Sequence, residues 1–166
     1  PGPNSRPRIT VERFPIAKLI RYHAGSVPGC SNAPGGKAPA MRIFDPHCHM
    51  ISRITDDYER MAVAGVVAIT EPSFWLGEPR KYAGTFYDYF DHITGFERER
   101  AAEYGIKHYC TIGVNPREAN DLDLANEVLT KMEEWFDHPS VVAVGELGFD
   151  LNTDEEEVIL RKQMEM

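Results

Sequence analysis

Apolar and polar positions alternate along the chain in a way that predicts four strands, each followed by a helix. The order β-α-β-α-β-α-β-α with short connections favours parallel strands joined by right-handed crossovers. A doubly wound sheet and a barrel both fit four such units. The predicted strands are the apolar runs 41–45, 66–70, 106–114 and 140–146, and the predicted helices cover 56–64, 85–104, 121–137 and 154 onward.

Capping and breaking residues indicate where these helices begin and end. Thr55 is placed to cap the first helix, and Gly65 can end it. Gly95 predicts a break inside the second helix. Thr153 and Glu156 have the spacing of a capping box, so they are expected to open the last helix.

The first forty residues differ in composition from the rest. Proline and glycine occupy twelve of these positions, and only one short apolar segment interrupts them. We expect residues 1–40 to be a disordered or non-native N-terminal extension and residues 41–166 to form the globular part. A basic transit peptide is an alternative, as is translated upstream sequence, because Met41 stands where a natural start would fall.

Charge is distributed unevenly along the chain. The net charge is −8, although residues 1–40 hold six Lys or Arg against one acidic residue. The acidic remainder suits a cation better than a phosphate backbone or an anionic lipid surface.

No apolar run approaches the length of a membrane span, and three widely separated cysteines argue against a disulfide framework. We therefore expect a cytoplasmic protein with no membrane partner, and the sequence indicates no oligomeric state.

Two histidines follow the first predicted strand in the segment "IFDPHCHM". His47 and His49 are two residues apart, so their side chains are expected to converge on one face. Paired neutral imidazoles suit a divalent cation such as zinc. Asp45 is expected to accept the other ring N–H of a histidine and fix its tautomer. A chance pairing of two histidines is the alternative reading.

A single carboxylate ends the fourth predicted strand in "VAVGELGFD". Glu146 follows four small or branched apolar residues and lies between Gly145 and Gly148. A carboxylate in such surroundings is costly unless it meets a cation or a hydrogen-bond donor. We interpret Glu146 as a metal ligand that could bridge two ions, against the alternative of an ordinary loop acid.

Three motifs together resemble a known family. "DPHCHM", "GVNPREA" and "VVAVGELGFD" are similar, in order and spacing, to motifs of the TatD family of metal-dependent hydrolases. That family has the amidohydrolase-like (β/α)8 barrel, so the resemblance implies an α/β fold. Residues 41–166 would be the N-terminal half of the barrel, a partial TIM barrel of about four βα units.

The resemblance also implies a metal centre at the carboxyl-terminal rim of the barrel. His47 and His49 match the ligands after strand one, and Glu146 matches the ligand after strand four, where it would also take part in catalysis. One or two divalent ions (Zn, Mg or Mn) would activate water to attack a phosphoester, as in a deoxyribonuclease. The implied substrate is a small-molecule or nucleic-acid phosphoester.

Two positions depart from the family pattern. Asn115 stands where the family commonly has histidine, and an amide can bind substrate but cannot shuttle a proton near neutral pH. Leu151 replaces an aromatic residue. We expect Asn115 to bind substrate together with Glu71, which ends the second strand. The alternative for Glu71 is an ordinary loop acid before proline.

The family's later ligands, two histidines and an aspartate, have no counterpart in these 166 residues. A complete barrel needs about 250 residues, so we expect the chain to be an incomplete fragment with little or no activity alone. One alternative is another reaction on the same scaffold, such as amide or lactone hydrolysis or deamination. A non-enzymatic truncated module is the other.

Overall fold

The computed structural model describes residues 41–75 and 77–166. The predicted N-terminal extension, residues 1–40, lies outside this described part. The predicted alternation of strands and helices is confirmed. The elements are β1 (Ile43–Asp45), α1 (Thr55–Ala64), β2 (Val66–Pro72), α2 (Ala83–Thr94), α3 (Phe96–Glu103), β3 (Lys107–Ile112), α4 (Leu122–Met132), β4 (Val141–Val144) and α5 (Asp154–Glu165).

The four strands form one parallel sheet in the order β1-β2-β3-β4. Each strand pairs with its predecessor, for example Asp45 with Ile69 and Ile112 with Val144. The sheet therefore advances in one direction, whereas a doubly wound sheet reverses direction at a switch point. One-way advance is the topology of a barrel wall, and it brings all four carboxyl-terminal strand ends to the same edge.

Two buried clusters pack the helices against this sheet. The larger one joins β3 to α2, α4 and α5, and the smaller one joins β2 to α1 and α3. Phe90, Val128 and Ile159 are fully buried in the first cluster, and Met50 and Tyr58 are fully buried in the second. Across the described residues, we find no helix with both the length and the apolar character needed to cross a bilayer.

The observed ends of the helices agree with most of the predicted signals. Gly65 follows α1 in the left-handed region at φ 98°, and Gly95 separates α2 from α3. The capping role predicted for Thr55 is wrong, because α1 begins at Thr55 and the preceding Ile54 occupies the N-cap. Helix α4 ends at Met132 because the last predicted turn tightens into a 3-10 helix.

A buried carboxylate closes the loop between β4 and α5. Thr153 and Glu156 form the predicted capping box. The Glu156 side chain also accepts the backbone N–H groups of Asp150, Leu151 and Asn152 at 2.9–3.1 Å. Burial by itself would raise its pKa, but these hydrogen bonds outweigh burial and lower the pKa to about 2.

Replacing Glu156 with glutamine should make stability less sensitive to acid. A carboxyl whose pKa is depressed by folding stabilises the protein above its unfolded value of 4.5, and this contribution disappears as the pH falls toward 2. The difference in unfolding free energy between the native chain and E156Q should therefore be constant above about pH 5.5 and shrink below it. Urea unfolding across pH 3–7 measures it, and a difference that does not change with pH would contradict the assignment.

Candidate metal centre

His47, His49 and Glu146 converge at the carboxyl-terminal edge of the sheet. They follow β1 and β4, the two outer strands of the described sheet, whose backbones would lie about 14 Å apart in a flat sheet. Instead, Nε2 of His47 lies 3.8 Å from Oε1 of Glu146 and 3.3 Å from Nε2 of His49. The sheet is therefore curved so that its outer strands direct side chains to a common point.

The spacing of these atoms fits a shared divalent cation. One ligand atom from each of the three side chains lies within 4.8 Å of the other two. A tetrahedral zinc ion with bonds of about 2.0–2.1 Å places neighbouring ligand atoms about 3.3–3.4 Å apart. The separation of the two imidazole nitrogens, 3.3 Å, agrees with this value. Two imidazoles and one carboxylate are a donor set that zinc and similar metals accept.

The lowered pKa of His49 also favours metal binding. Burial lowers the pKa of His49, and His47 lowers it further, while Glu146 acts in the opposite direction. A neutral imidazole has the free lone pair that coordination requires. Burial raises the pKa of Cys48, between the two histidines, to about 12. Its sulfur is not among the ligand atoms that converge at this site.

Asp45 and Asn115 contact the candidate ligands and are not themselves part of the converging group. The Asp45 carboxylate accepts the backbone N–H of His47 at 3.0 Å, rather than a ring N–H as predicted. Asn115 is buried, and its amide N–H donates to Glu146 at 3.4 Å. Its carbonyl oxygen accepts the backbone N–H of Arg117. Asn115 therefore orients the Glu146 carboxylate, and its substrate-binding role stays a prediction.

Glu71 does not line a substrate pocket, so the prediction for this residue is wrong. Its side chain is fully buried. One oxygen accepts the backbone N–H groups of Met50 and Ile51, and the other lies 2.8 Å from Nε2 of His108. Residues 68–72 of β2 are all buried, and a carboxylate without donors would be costly there.

The backbones of β3 and β4 approach each other closely beside Glu146. A Cβ atom added to Gly113 would lie 2.9 Å from the carbonyl carbon of Gly145. The Gly145 carbonyl oxygen accepts hydrogen bonds from the hydroxyls of Ser73 and Thr111, at 2.6 and 2.8 Å. The sequence analysis did not predict these backbone contacts. The glycines that follow β3 and β4 were the signal in the sequence that could have indicated them.

Substituting Gly113 with alanine should displace the Gly145–Glu146 backbone. The new methyl group would meet backbone atoms that cannot rotate away, at a cost of about 1–3 kcal/mol in unfolding free energy. The matched control is Gly84→Ala, because nothing lies within 4 Å of that site in α2 and alanine favours helices. Chemical denaturation and zinc titration of both variants test this, and equal stability of the two would contradict it.

An aromatic segment in the loop after β2 covers His49. The Phe74 ring stacks on the His49 ring with centroids 4.3 Å apart, and Trp75 packs against Phe74. Arg80 fixes this segment by donating to the Phe74 carbonyl and to both carboxylate oxygens of Glu118, at 2.9 and 3.0 Å. The loop after β2 is thus anchored by a charged pair that is largely buried.

Comparison with known proteins identifies the family. The family model described as "TatD related DNase" matches residues 44–166. The chain belongs to the TatD family. It is 29% identical over 126 residues to the uncharacterized metal-dependent hydrolase MJ0761 of Methanocaldococcus jannaschii, a match covering 74% of this chain and 47% of that protein.

A solved structure gives the same result. The crystal structure of the TatD-like protein AF1765 from Archaeoglobus fulgidus is similar with a TM-score of 0.64 and 30% identity. The match covers 74% of this chain and 50% of that one. The predicted α/β barrel architecture and the predicted TatD family of metal-dependent hydrolases are confirmed, and the chain spans about half the length of these relatives.

Proposed function

We propose that His47, His49 and Glu146 belong to the divalent-metal centre of a hydrolase that cleaves phosphoester bonds with water. The observation that carries this proposal is the convergence of three ligand atoms from two strand ends that are distant in the sequence. Membership in the TatD family supports it independently. The proposed ions are Zn²⁺, Mg²⁺ or Mn²⁺, one or two in a complete site.

The chain's own residues would hold and orient the cation. His47 and His49 would offer imidazole nitrogens, and Glu146 would offer a carboxylate oxygen that offsets the charge of the ion. Asn115 fixes the Glu146 carboxylate through its amide N–H. A divalent cation, when bound, acts as a Lewis acid and makes water at the site more acidic. Asparagine at 115 cannot accept a proton near neutral pH, so proton transfer falls to another group.

The proposed substrate is a phosphodiester, with DNA as the first candidate. The family description names a DNase, and divalent ions are well suited to offset phosphate charge. At the rim, the positive charge of the Arg117 guanidinium is offset by Asp150, which lies 3.4 Å away. Binding of an anionic substrate should therefore depend on the metal ion more than on a basic groove.

Hydrolysis by the product of the complete reading frame that encodes this chain tests the proposal. The assay uses bis(p-nitrophenyl) phosphate and single-stranded DNA with Zn²⁺, Mn²⁺ or Mg²⁺, and the H47A/H49A variant as the control. Metal-dependent phosphodiester cleavage that the variant lacks would support the proposal. Cleavage of amides or lactones, or deamination, without phosphodiester cleavage would favour a different reaction on this barrel. Absence of both metal binding and turnover would favour a non-enzymatic module.

We also propose that the 166-residue chain alone has little activity. Strands β1 and β4 each have one neighbour in the described sheet, and apolar side chains on them, Phe44 and Val142, are 44% and 40% exposed. The rim that these strands form is therefore open on two sides. Turnover by the isolated chain that matches turnover by the complete product would contradict this.

A further inference from the structure

The segment that follows the metal-ligating histidines is held by buried charged groups from neighbouring elements. Glu71, on β2, accepts the backbone N–H of Met50 at 2.6 Å and that of Ile51 at 2.9 Å. Its other oxygen contacts His108 on β3, and both of these side chains are fully buried. Three donors therefore surround one carboxylate that water does not reach.

His49 lies between two backbone positions that are tied to β2. The N–H of Cys48, on one side, donates to the carbonyl of Thr70 at 3.1 Å. The N–H of Met50, on the other side, donates to the Glu71 carboxylate. The backbone on either side of His49 is thus tied to β2, and the position of its Cα depends on where β2 places Thr70 and Glu71.

A second charged side chain holds the same segment from the helical layer. The Arg100 guanidinium, on α3, donates to the carbonyl of Met50 at 2.8 Å and to that of Arg53 at 3.3 Å. Glu97 fixes Arg100 through an ion pair at 2.9 Å. The N–H and the carbonyl of Met50 are therefore held by opposite charges on opposite sides of the chain.

We propose that Glu71 is a positioning residue of the metal centre, acting on His49 through the backbone amides of Met50 and Ile51. This inference depends on the proposed metal-binding function. A buried carboxylate is a costly way to fill space, because an apolar side chain of similar volume needs no donors. What the carboxylate adds is a fixed position for the two amides that directly follow the ligand. Residues that orient metal ligands in this way typically change metal affinity by about 10–100-fold when they are replaced.

Cobalt titration of the 166-residue chain tests the inference, because the visible d–d absorption of Co²⁺ reports ligand geometry as well as binding. The variants are Glu71→Ala, Glu71→Gln and, as a control for stability alone, Val128→Ala. Val128 is fully buried on α4 in the larger cluster and has no part in the site. We expect E71A to raise the Kd for Co²⁺ at least about tenfold and to change the spectrum. V128A should leave both unchanged.

Glutamine at position 71 should retain part of the Co²⁺ affinity that E71A loses. Its carbonyl oxygen can still accept the Met50 and Ile51 amides, although without the negative charge, so the Kd of E71Q should lie between those of the native chain and E71A. Hydrogen exchange of these two amides in metal-free chain gives a second readout, and it should be faster in E71Q than in the native chain. This comparison remains decisive if E71A does not fold.

The outcomes separate the two proposals. A native chain that binds no Co²⁺ would overturn the proposed metal centre and this inference with it. A native chain that binds Co²⁺, with E71A equal to V128A in Kd and spectrum, would overturn the inference alone. Amide exchange and Kd in E71Q that equal the native values would do the same.

Discussion

Replacing His49 with alanine is expected to raise the Kd for Zn²⁺ at least about a hundredfold. Zinc sites with four ligands have binding free energies of about 10–16 kcal/mol, so each ligand contributes about 3 kcal/mol. His49 is one of three side chains that place ligand atoms within 4.8 Å of one another. Its removal leaves one imidazole and one carboxylate, which cannot surround an ion. It also removes the ring on which Phe74 stacks.

Competition of a chromogenic zinc chelator with the purified chain measures this effect. The matched control is His138→Ala. His138 precedes β4, at the opposite end of the sheet, and its ring contacts the Ser140 hydroxyl. H138A should bind zinc as the native chain does. If H49A retained the native affinity, or if H138A lost as much, the assignment of His49 as a ligand would be wrong.

Replacing Arg80 with methionine is expected to destabilise the fold by about 3–5 kcal/mol, the usual cost of leaving one member of a buried ion pair unpaired. Glu118 is 3% exposed, and Arg80 holds both of its carboxylate oxygens. The guanidinium also lies over the ring of Tyr89, 4.4 Å from its centroid. Methionine retains much of the side-chain volume but removes the charge and the guanidinium donors, and only the backbone N–H of residue 80 still donates to Glu118.

The pH dependence of the loss identifies its cause. Burial raises the pKa of Glu118, while Arg80 lowers it. Without Arg80 the carboxyl should take up a proton in the folded state, and a raised carboxyl pKa favours folding at low pH and disfavours it at high pH. R80M should therefore lose less stability at pH 5 than at pH 8, as measured by urea unfolding.

The double variant R80M/E118Q provides the control, because no buried charge is left unpaired in it. Its loss should be smaller than the sum of the two single losses, which is the sign of a coupled pair. Additive losses that do not depend on pH would show that Arg80 acts by packing alone. The same variants should bind zinc more weakly if the Phe74 segment helps to fix His49.

Local patterns were sufficient to predict the order of elements and the end of the sheet where the chemistry lies. The alternation of apolar runs with helical segments placed His47, His49 and Glu146 after the first and fourth strands. Because the carboxyl ends of parallel strands share one edge, these residues had to lie on the same side of the protein. The choice between a barrel and a doubly wound sheet depends on strand order, which periodicity does not contain.

The burial of polar side chains such as Glu71 was harder to predict. Glu71 shares a strand face with Ile69, two residues earlier, and Ile69 is fully buried. That alternation was a usable signal, but glutamate is normally exposed, and the position of Glu71 at the end of the strand favoured a substrate-binding role instead. The donors that make its burial tolerable come from residues 50, 51 and 108, and only the folded chain brings them together.

The contacts of Asp45 and Asn115 show a similar limit. Both residues contact the candidate metal ligands, but the partner of Asp45 differs from the predicted one and the sequence predicted no partner within the chain for Asn115. Asp45 bonds a backbone amide, and Asn115 bonds the Glu146 carboxylate. Hydrogen-bond partners depend on distances of less than an ångström, and the spacing of residues along a chain does not determine such distances.

Anomalous diffraction from a crystal of the zinc-loaded chain, recorded on both sides of the zinc absorption edge, tests the central claim most directly. We predict one strong peak within about 2.0–2.2 Å of His47 Nε2, His49 Nε2 and a Glu146 carboxylate oxygen. A peak bound to other residues, or no peak near these three atoms in a chain that retains its fold, would contradict the account.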